Sequence, residues 1–224
     1  MHTSLLKTGL LITLTFLCAC QPPTVPTQTV SSGSGFRWRG LSFTTQQSRT
    51  LHTNPNGARY IGGVPYIKQG EDNTCGQAVM TMALQFWGQD IDYQQVVNES
   101  NPINVGTSYT TMQNYLREKG LAAQSYYQSS LEQLISEIDA GRPAIALLEF
   151  DELFFTHYVL VVGYNPRRNT IIIHESQSAP YVELDVEEFL ELWEAPSLVS
   201  LPVFGGKEYQ RLLITLDGNT PPTE

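Results

Sequence analysis

Three apolar runs follow one another in the second half of this chain: Ala144–Phe150, His157–Tyr164 and Thr170–Glu175. The first suits a central strand. The other two flank Asn165-Pro166-Arg167-Arg168-Asn169, whose turn-forming composition predicts a hairpin. Upstream the pattern is helical. Thr74 and Gln77 have capping-box spacing, and Ala78, Val79, Met82, Ala83 and Phe86 follow at i+3/i+4 steps until Gly88. Shorter helices are expected over Asp92–Glu99, Ser108–Lys119 (ended by Gly120), Ser130 to Gly141, and Asp185–Trp193. Ala122–Gln128 and Arg211–Leu216 read as extended. Helices first and antiparallel strands afterwards predict an α+β domain.

The N-terminus has a different character. His2 and Lys7 precede an apolar run, Gly9–Leu17, too short for a permanent membrane span. It ends in Leu17-Cys18-Ala19-Cys20, which resembles the lipobox of bacterial lipoproteins, with cleavage before Cys20 and acylation of its thiol. Residues 1–19 are therefore expected to be a signal peptide. Residues 20–35, rich in Pro, Thr, Ser and Gly and uncharged, read as a tether reaching about 20 Å as a coil. Residues 36–60 read as an N-terminal extension, in which Phe36, Trp38, Leu41 and Phe43 fit a strand laid on the domain. Residues 61–224 are the domain itself. Gln21 after the lipidated cysteine implies outer-membrane sorting, facing the periplasm, by the same resemblance.

Charge excludes some partners. Once the leader is removed, 12 basic residues face 22 acidic ones, which argues against nucleic acid and anionic lipid surfaces. No Cys/His pair has metal-ligand spacing and no Gly-rich phosphate loop is present, so neither metal nor cofactor is expected. The acidic group from Glu183 to Glu194 reads as a solvated helix face.

With Cys18 lost and Cys20 acylated, Cys75 has no partner in its own chain, so in an oxidising envelope its thiol is expected to be either buried as a structural group or used, and its helix-start position before Gly76 favours use. It opens a helix, where unpaired N–H groups and the dipole favour thiolate. Cysteine chemistry also needs an imidazole and a group to orient it. His52 lies in a Thr/Asn/Pro-rich approach segment typical of a solvated histidine, whereas His157 opens an apolar strand. A five-residue loop over 165–169 pairs Tyr164 with Thr170 and Val159 with Glu175, so that His157 and Glu175 share a face. A four-residue loop instead places His174 beside His157. Pro166 and the two arginines favour the longer loop.

Gln69-x5-Cys75-Gly76, followed by the strand HYVLVVGY from His157, resembles the C39 peptidases, the papain-like double-glycine peptidases of bacteriocin processing. The resemblance spans roughly Gly63 to Leu216. It implies a papain-like α+β fold, with N-terminal helices packed on an antiparallel sheet. It also implies Cys75 as nucleophile, His157 as general base and acid, and an oxyanion hole from the Gln69 side chain and the Cys75 N–H. Where that family usually carries Asp followed by Pro, this chain has Glu175-Ser176. The expectation is a lipid-anchored envelope cysteine peptidase acting on a peptide or protein. Family members often cut leaders after Gly-Gly as part of an ABC exporter, and no such transporter segment accompanies this sequence. Two other readings keep the cleft: a non-catalytic peptide-binding module, and a cysteine amidase or transferase acting on another amide. No oligomeric state follows from the sequence.

Overall fold

Strand β5, Thr156–Asn165, organises the molecule, and the apolar sequence behind it is buried along nearly its whole length. A computed structural model describes residues 50–70, 73–150, 156–194 and 210–218, all within one compact unit, Phe43–Glu224. The signal peptide, Cys20, the tether and the strand expected near Phe36–Phe43 lie outside the described residues.

In chain order the elements are β1 (Leu51–Thr53), β2 (Arg59–Ile61), α1 (Cys75–Phe86), α2 (Tyr93–Ser100), α3 (Tyr109–Glu118), β3 (Ala122–Tyr126), α4 (Leu131–Asp139), β4 (Ala144–Glu149), β5, β6 (Thr170–His174), β7 (Val182–Asp185), α5 (Val186–Trp193) and β8 (Leu213–Asp217). The strands form one eight-stranded sheet in which every pairing is antiparallel. One edge of β5 pairs with β6; the other pairs with β4 along Thr156–Val161 and with β2 at Gly163–Tyr164. β1 and β2 belong to the segment read as an extension, yet they are hydrogen-bonded into this sheet. β7, also absent from the sequence reading, adds to the outer edge of β6.

Helices α1 and α4 pack on β5, α3 on β3, and α5 on β4. The core they enclose is drawn mainly from β4, β5, β6 and α1, including Ile145, Leu148, Leu160, Val161, Ile173, Met82 and Leu84. Each such side chain contributes about 1.5–3 kcal/mol on burial. Trp193 closes the C-terminal side, its indole N–H donating to the Leu212 carbonyl at 2.8 Å.

Two local expectations differ from the structure. The Thr74/Gln77 capping box does not form: the Thr74 side chain makes no capping bond. Its Oγ1 instead accepts from the Tyr93 hydroxyl at 2.7 Å, and the Gln77 amide donates to Ser100 at 3.1 Å. Both side chains tie α1 to α2.

The β5–β6 turn is four residues, Pro166–Asn169, not five, because Asn165 pairs with Thr170. The Asn165 side chain accepts from the N–H groups of Arg167 and Arg168, and Asn169 takes a left-handed φ of 54°. This is turn chemistry that asparagine supplies readily. Taken alone, the shorter turn would bring His174 beside His157. A bulge between Val161 and Gly163 leaves Val162 unpaired and shifts the register by one, so that Leu160 pairs with His174. Continued one step, that register sets Glu175 across from Val159, as the longer loop would have done. Gly163 is required there, since a Cβ would sit 2.5 Å from the Arg59 carbonyl of β2.

Candidate active site

Gln69, Gly70, Asn73, Thr74 and the start of α1 hold the first half of the site. Asn73, with φ 63°, turns the chain sharply into the helix, its carbonyl held by the Asn101 side chain at 3.1 Å. The Tyr93 hydroxyl links Gly70 to Thr74, accepting from the Gly70 N–H and donating to Thr74 Oγ1. Cys75 is thereby fixed as the first helical residue, half-buried. Gly76 lets α1 approach closely: a Cβ there would lie 2.4 Å from Thr107 Cγ2 and 3.6 Å from the Tyr158 ring.

Two opposing influences set the Cys75 thiol. Burial pushes its pKa up, while the backbone of Tyr158, Gly76 and Cys75 itself pulls it down and the Glu175 charge adds a smaller upward push. The net direction is upward. The helix terminus acts as the sequence suggested, but desolvation outweighs it, and the resting form is the thiol.

The second half of the site comes from the β5–β6 hairpin. His157 Nε2 lies 2.6 Å from Glu175 Oε1, with both side chains largely buried. The ring N–H does not point along that line, and Nε2 has no aligned hydrogen-bond acceptor, so with the ring neutral the contact is a weak dipolar one that becomes an ion pair only when the ring is protonated. Burial pulls the His157 pKa down, and the charge of Glu175 and its contact with the ring push it back only in part. His157 is therefore neutral at rest near pH 7. Facing a carboxylate, Nε2 is the protonated nitrogen, which makes Nδ1 the lone-pair nitrogen.

Glu175 is itself held by the turn that follows it. Its Oε1 accepts from the Gln177 N–H at 2.9 Å and its Oε2 from the Ser178 N–H at 2.7 Å. Desolvation pushes its pKa up, but the Ser178 side chain, the Gln177 N–H, the His157 charge and the Ser178 N–H together outweigh this, and the carboxyl stays below its usual range. Residue 175 is thus a fixed anion.

Gln69, Cys75, His157 and Glu175 all line one cleft of about 770 Å³, whose apolar wall includes Phe150, Ile173, Val182 and Leu184. Phe150 stands edge-on to the His157 ring, 6.0 Å between centroids. His174 lies elsewhere, its ring against Tyr181 and Tyr66. His52 is exposed and stacked on Tyr60. Among the described residues, no cluster of three His, Cys, Asp or Glu side chains is placed to hold a metal ion.

Two contributors are not singled out by the sequence. Asn73 is legible in principle, as a turn former just before a helix; Phe150 is not, since it ends an apolar run that reads as a core strand. Chemically, the arrangement offers a thiol, a neutral imidazole backed by a fixed carboxylate, and amide donors at a helix start. That set suits nucleophilic attack on a carbonyl followed by protonation of the departing amine.

Residues 61–200 match the sequence model of the Peptidase_C39 like family. No curated protein matches the sequence. Among solved structures, a putative C39-like peptidase from Bacillus anthracis superposes with a TM-score of 0.55 at 17% identity, covering 70% of this chain and 96% of its own. The peptidase domain of Streptococcus ComA, a bifunctional ABC transporter involved in a quorum-sensing pathway, superposes with a TM-score of 0.51 at 20% identity, covering 71% and 99%. At such identities these two likenesses establish a shared papain-like α+β fold.

Proposed function

The chain belongs to the Peptidase_C39 like family, and on that premise we propose that it is a cysteine peptidase of the bacterial envelope, held to the membrane through acylated Cys20. The observation that carries this reading is the 2.6 Å approach of His157 to Glu175 inside the cleft that also holds Cys75.

In the proposed reaction a substrate carbonyl enters beside the helix start. His157 Nδ1 takes the Cys75 proton as Sγ bonds to the carbonyl carbon. Because thiol and imidazole are both neutral at rest, the proton moves with the attack rather than before it. The carbonyl π pair moves onto oxygen, where the Gln69 amide and the Cys75 N–H donate to it. The tetrahedral species collapses, the C–N bond breaks, and His157 passes the proton to the leaving amine. Water then attacks the thioester with His157 again as base, releasing the carboxylic product and the thiol. Glu175 stabilises the imidazolium in both steps without itself being protonated.

The experiment is a peptide-library digest read by mass spectrometry. The wild-type domain should cleave and Cys75→Ala should not; equal cleavage by the two would end this reading. A second reading, a peptide-binding module using the same cleft, draws support from the raised pKa of the Cys75 thiol. Peptide capture by wild type and Cys75→Ala alike, with no cleavage or acyl-enzyme from either, would favour it.

A further inference from the structure

The turn that fixes the base also reaches the other side of the cleft. Ser176 is fully buried although it carries a hydroxyl and directly follows the half-buried Glu175. Two hydrogen bonds join it to Gln69: its Oγ donates to Gln69 Oε1 at 2.9 Å, and its carbonyl accepts from the Gln69 N–H at 2.9 Å. Residues 107 positions apart in the chain are thereby clamped at both backbone and side chain.

An amide can stabilise an oxyanion only with its N–H₂ end. Presented the other way round, its carbonyl oxygen would repel the charge. A hydroxyl donating to Oε1 draws the carbonyl end of Gln69 towards Ser176 and turns Nε2 away from it. We infer that Ser176 is a positioning residue that orients the Gln69 amide as an oxyanion donor. The inference rests on the peptidase reading above. Ser176 touches no substrate and acts through Gln69 alone. A proline at this position, as in the pattern the sequence resembles, has no side-chain donor, so the device belongs to this chain's Glu-Ser pair.

Two reactions of the same sulfur separate the possibilities. Acylation of Cys75 by a p-nitrophenyl ester develops an oxyanion, whereas alkylation by iodoacetamide displaces iodide at a methylene carbon and does not. Loss of one oxyanion donor outright costs about 100- to 1,000-fold, so loss of its orientation alone should cost about ten-fold. In Ser176→Ala, acylation should therefore slow about ten-fold while alkylation stays within about two-fold, the alkylation rate also reporting an intact site. Ser176→Thr, which keeps the donor, should recover most of the acylation rate. Adding Ser176→Ala to Gln69→Ala should cost nothing further, because the two act as a unit. Acylation of Ser176→Ala at the wild-type rate, or equal loss of both reactions, overturns the inference and leaves the peptidase reading standing. Ester turnover by wild type no faster than by Cys75→Ala overturns the peptidase reading itself, and this inference with it.

Discussion

Replacing Glu175 by Gln should cost this protein acylation rate while leaving its fold almost untouched. The Glu175 carboxylate and the His157 ring, which becomes imidazolium in the proposed attack, lie 2.6 Å apart between Oε1 and Nε2. Taken between charge centres about 4 Å apart, at an effective dielectric of about 20, their attraction is about 4 kcal/mol. A neutral amide oxygen in a well-aligned bond keeps about half of a charge-assisted interaction. This contact is close but poorly aligned, so the amide should keep less than that. The expected loss is about 2–4 kcal/mol, or from about 30-fold to several hundred-fold in kcat/KM. Stability should change by less than about 1 kcal/mol, because the Gln177 and Ser178 N–H groups that cap the carboxylate lie in an exposed turn where water can replace one lost acceptor. The assay is a pH profile of peptide cleavage for both proteins, with thermal unfolding as control. In the wild type the carboxylate opposes the downward push of burial on His157. Neutralising it lowers the His157 pKa further, so the acid limb of the profile should move to lower pH. A Glu175→Gln enzyme with the wild-type rate and an unmoved limb would refute the assignment of Glu175 to His157.

Two further outcomes are expected. His174, fully buried and held down to a pKa of about 4 chiefly by desolvation, takes up protons between pH 6.5 and 4 more readily when unfolded. Its contribution to stability is complete above pH 6.5 and falls by roughly 3 kcal/mol on acidification to pH 4. Urea midpoints of wild type and His174→Phe should diverge across that window, and parallel curves would count against it. With Cys20 lipidated, labelled palmitate should enter wild-type protein in bacteria and be absent from Cys20→Ser. No label in wild type, or equal label in Cys20→Ser, would exclude the anchor at that residue.

The elements most legible in the sequence were those whose burial is uniform or whose caps are local. The continuous apolar runs of β4 and β5 are legible because no surface position interrupts them. Asp92, Ser108 and Ser130 act as N-caps of α2, α3 and α4 through their own side chains. β1, β2 and β7 are three or four residues each and owe their existence to pairing partners far along the chain, which no local window contains. The β5–β6 hairpin shows a subtler limit. Asn165 falls inside the five-residue loop that Pro166 and the two arginines favour, but its backbone continues the ladder while its side chain makes the turn. The resulting error of one residue would have exchanged Glu175 for His174, had the bulge at Val162 not offset it. The relation of His157 to Glu175 was therefore expected correctly from a loop length that is wrong, because two irregularities of opposite effect cancel.

The same cancellation bears on how a glutamate can serve where the resembled pattern has aspartate. One additional methylene moves a carboxylate outward by more than 1 Å, enough to break contact with an imidazole unless the backbone or the side chain is redirected. Here the side chain is redirected. The turn over Glu175–Ala179 folds back so that the N–H groups of Gln177 and Ser178 draw the carboxylate in, while the Tyr66 hydroxyl and the Ala179 carbonyl hold the Glu175 backbone. The next residue in that turn, Ser176, fastens Gln69 on the opposite wall. One five-residue turn thus holds together the carboxylate beside His157 and the hydroxyl bound to Gln69. Its geometry, rather than the identity of the acid alone, is what the longer side chain has to satisfy.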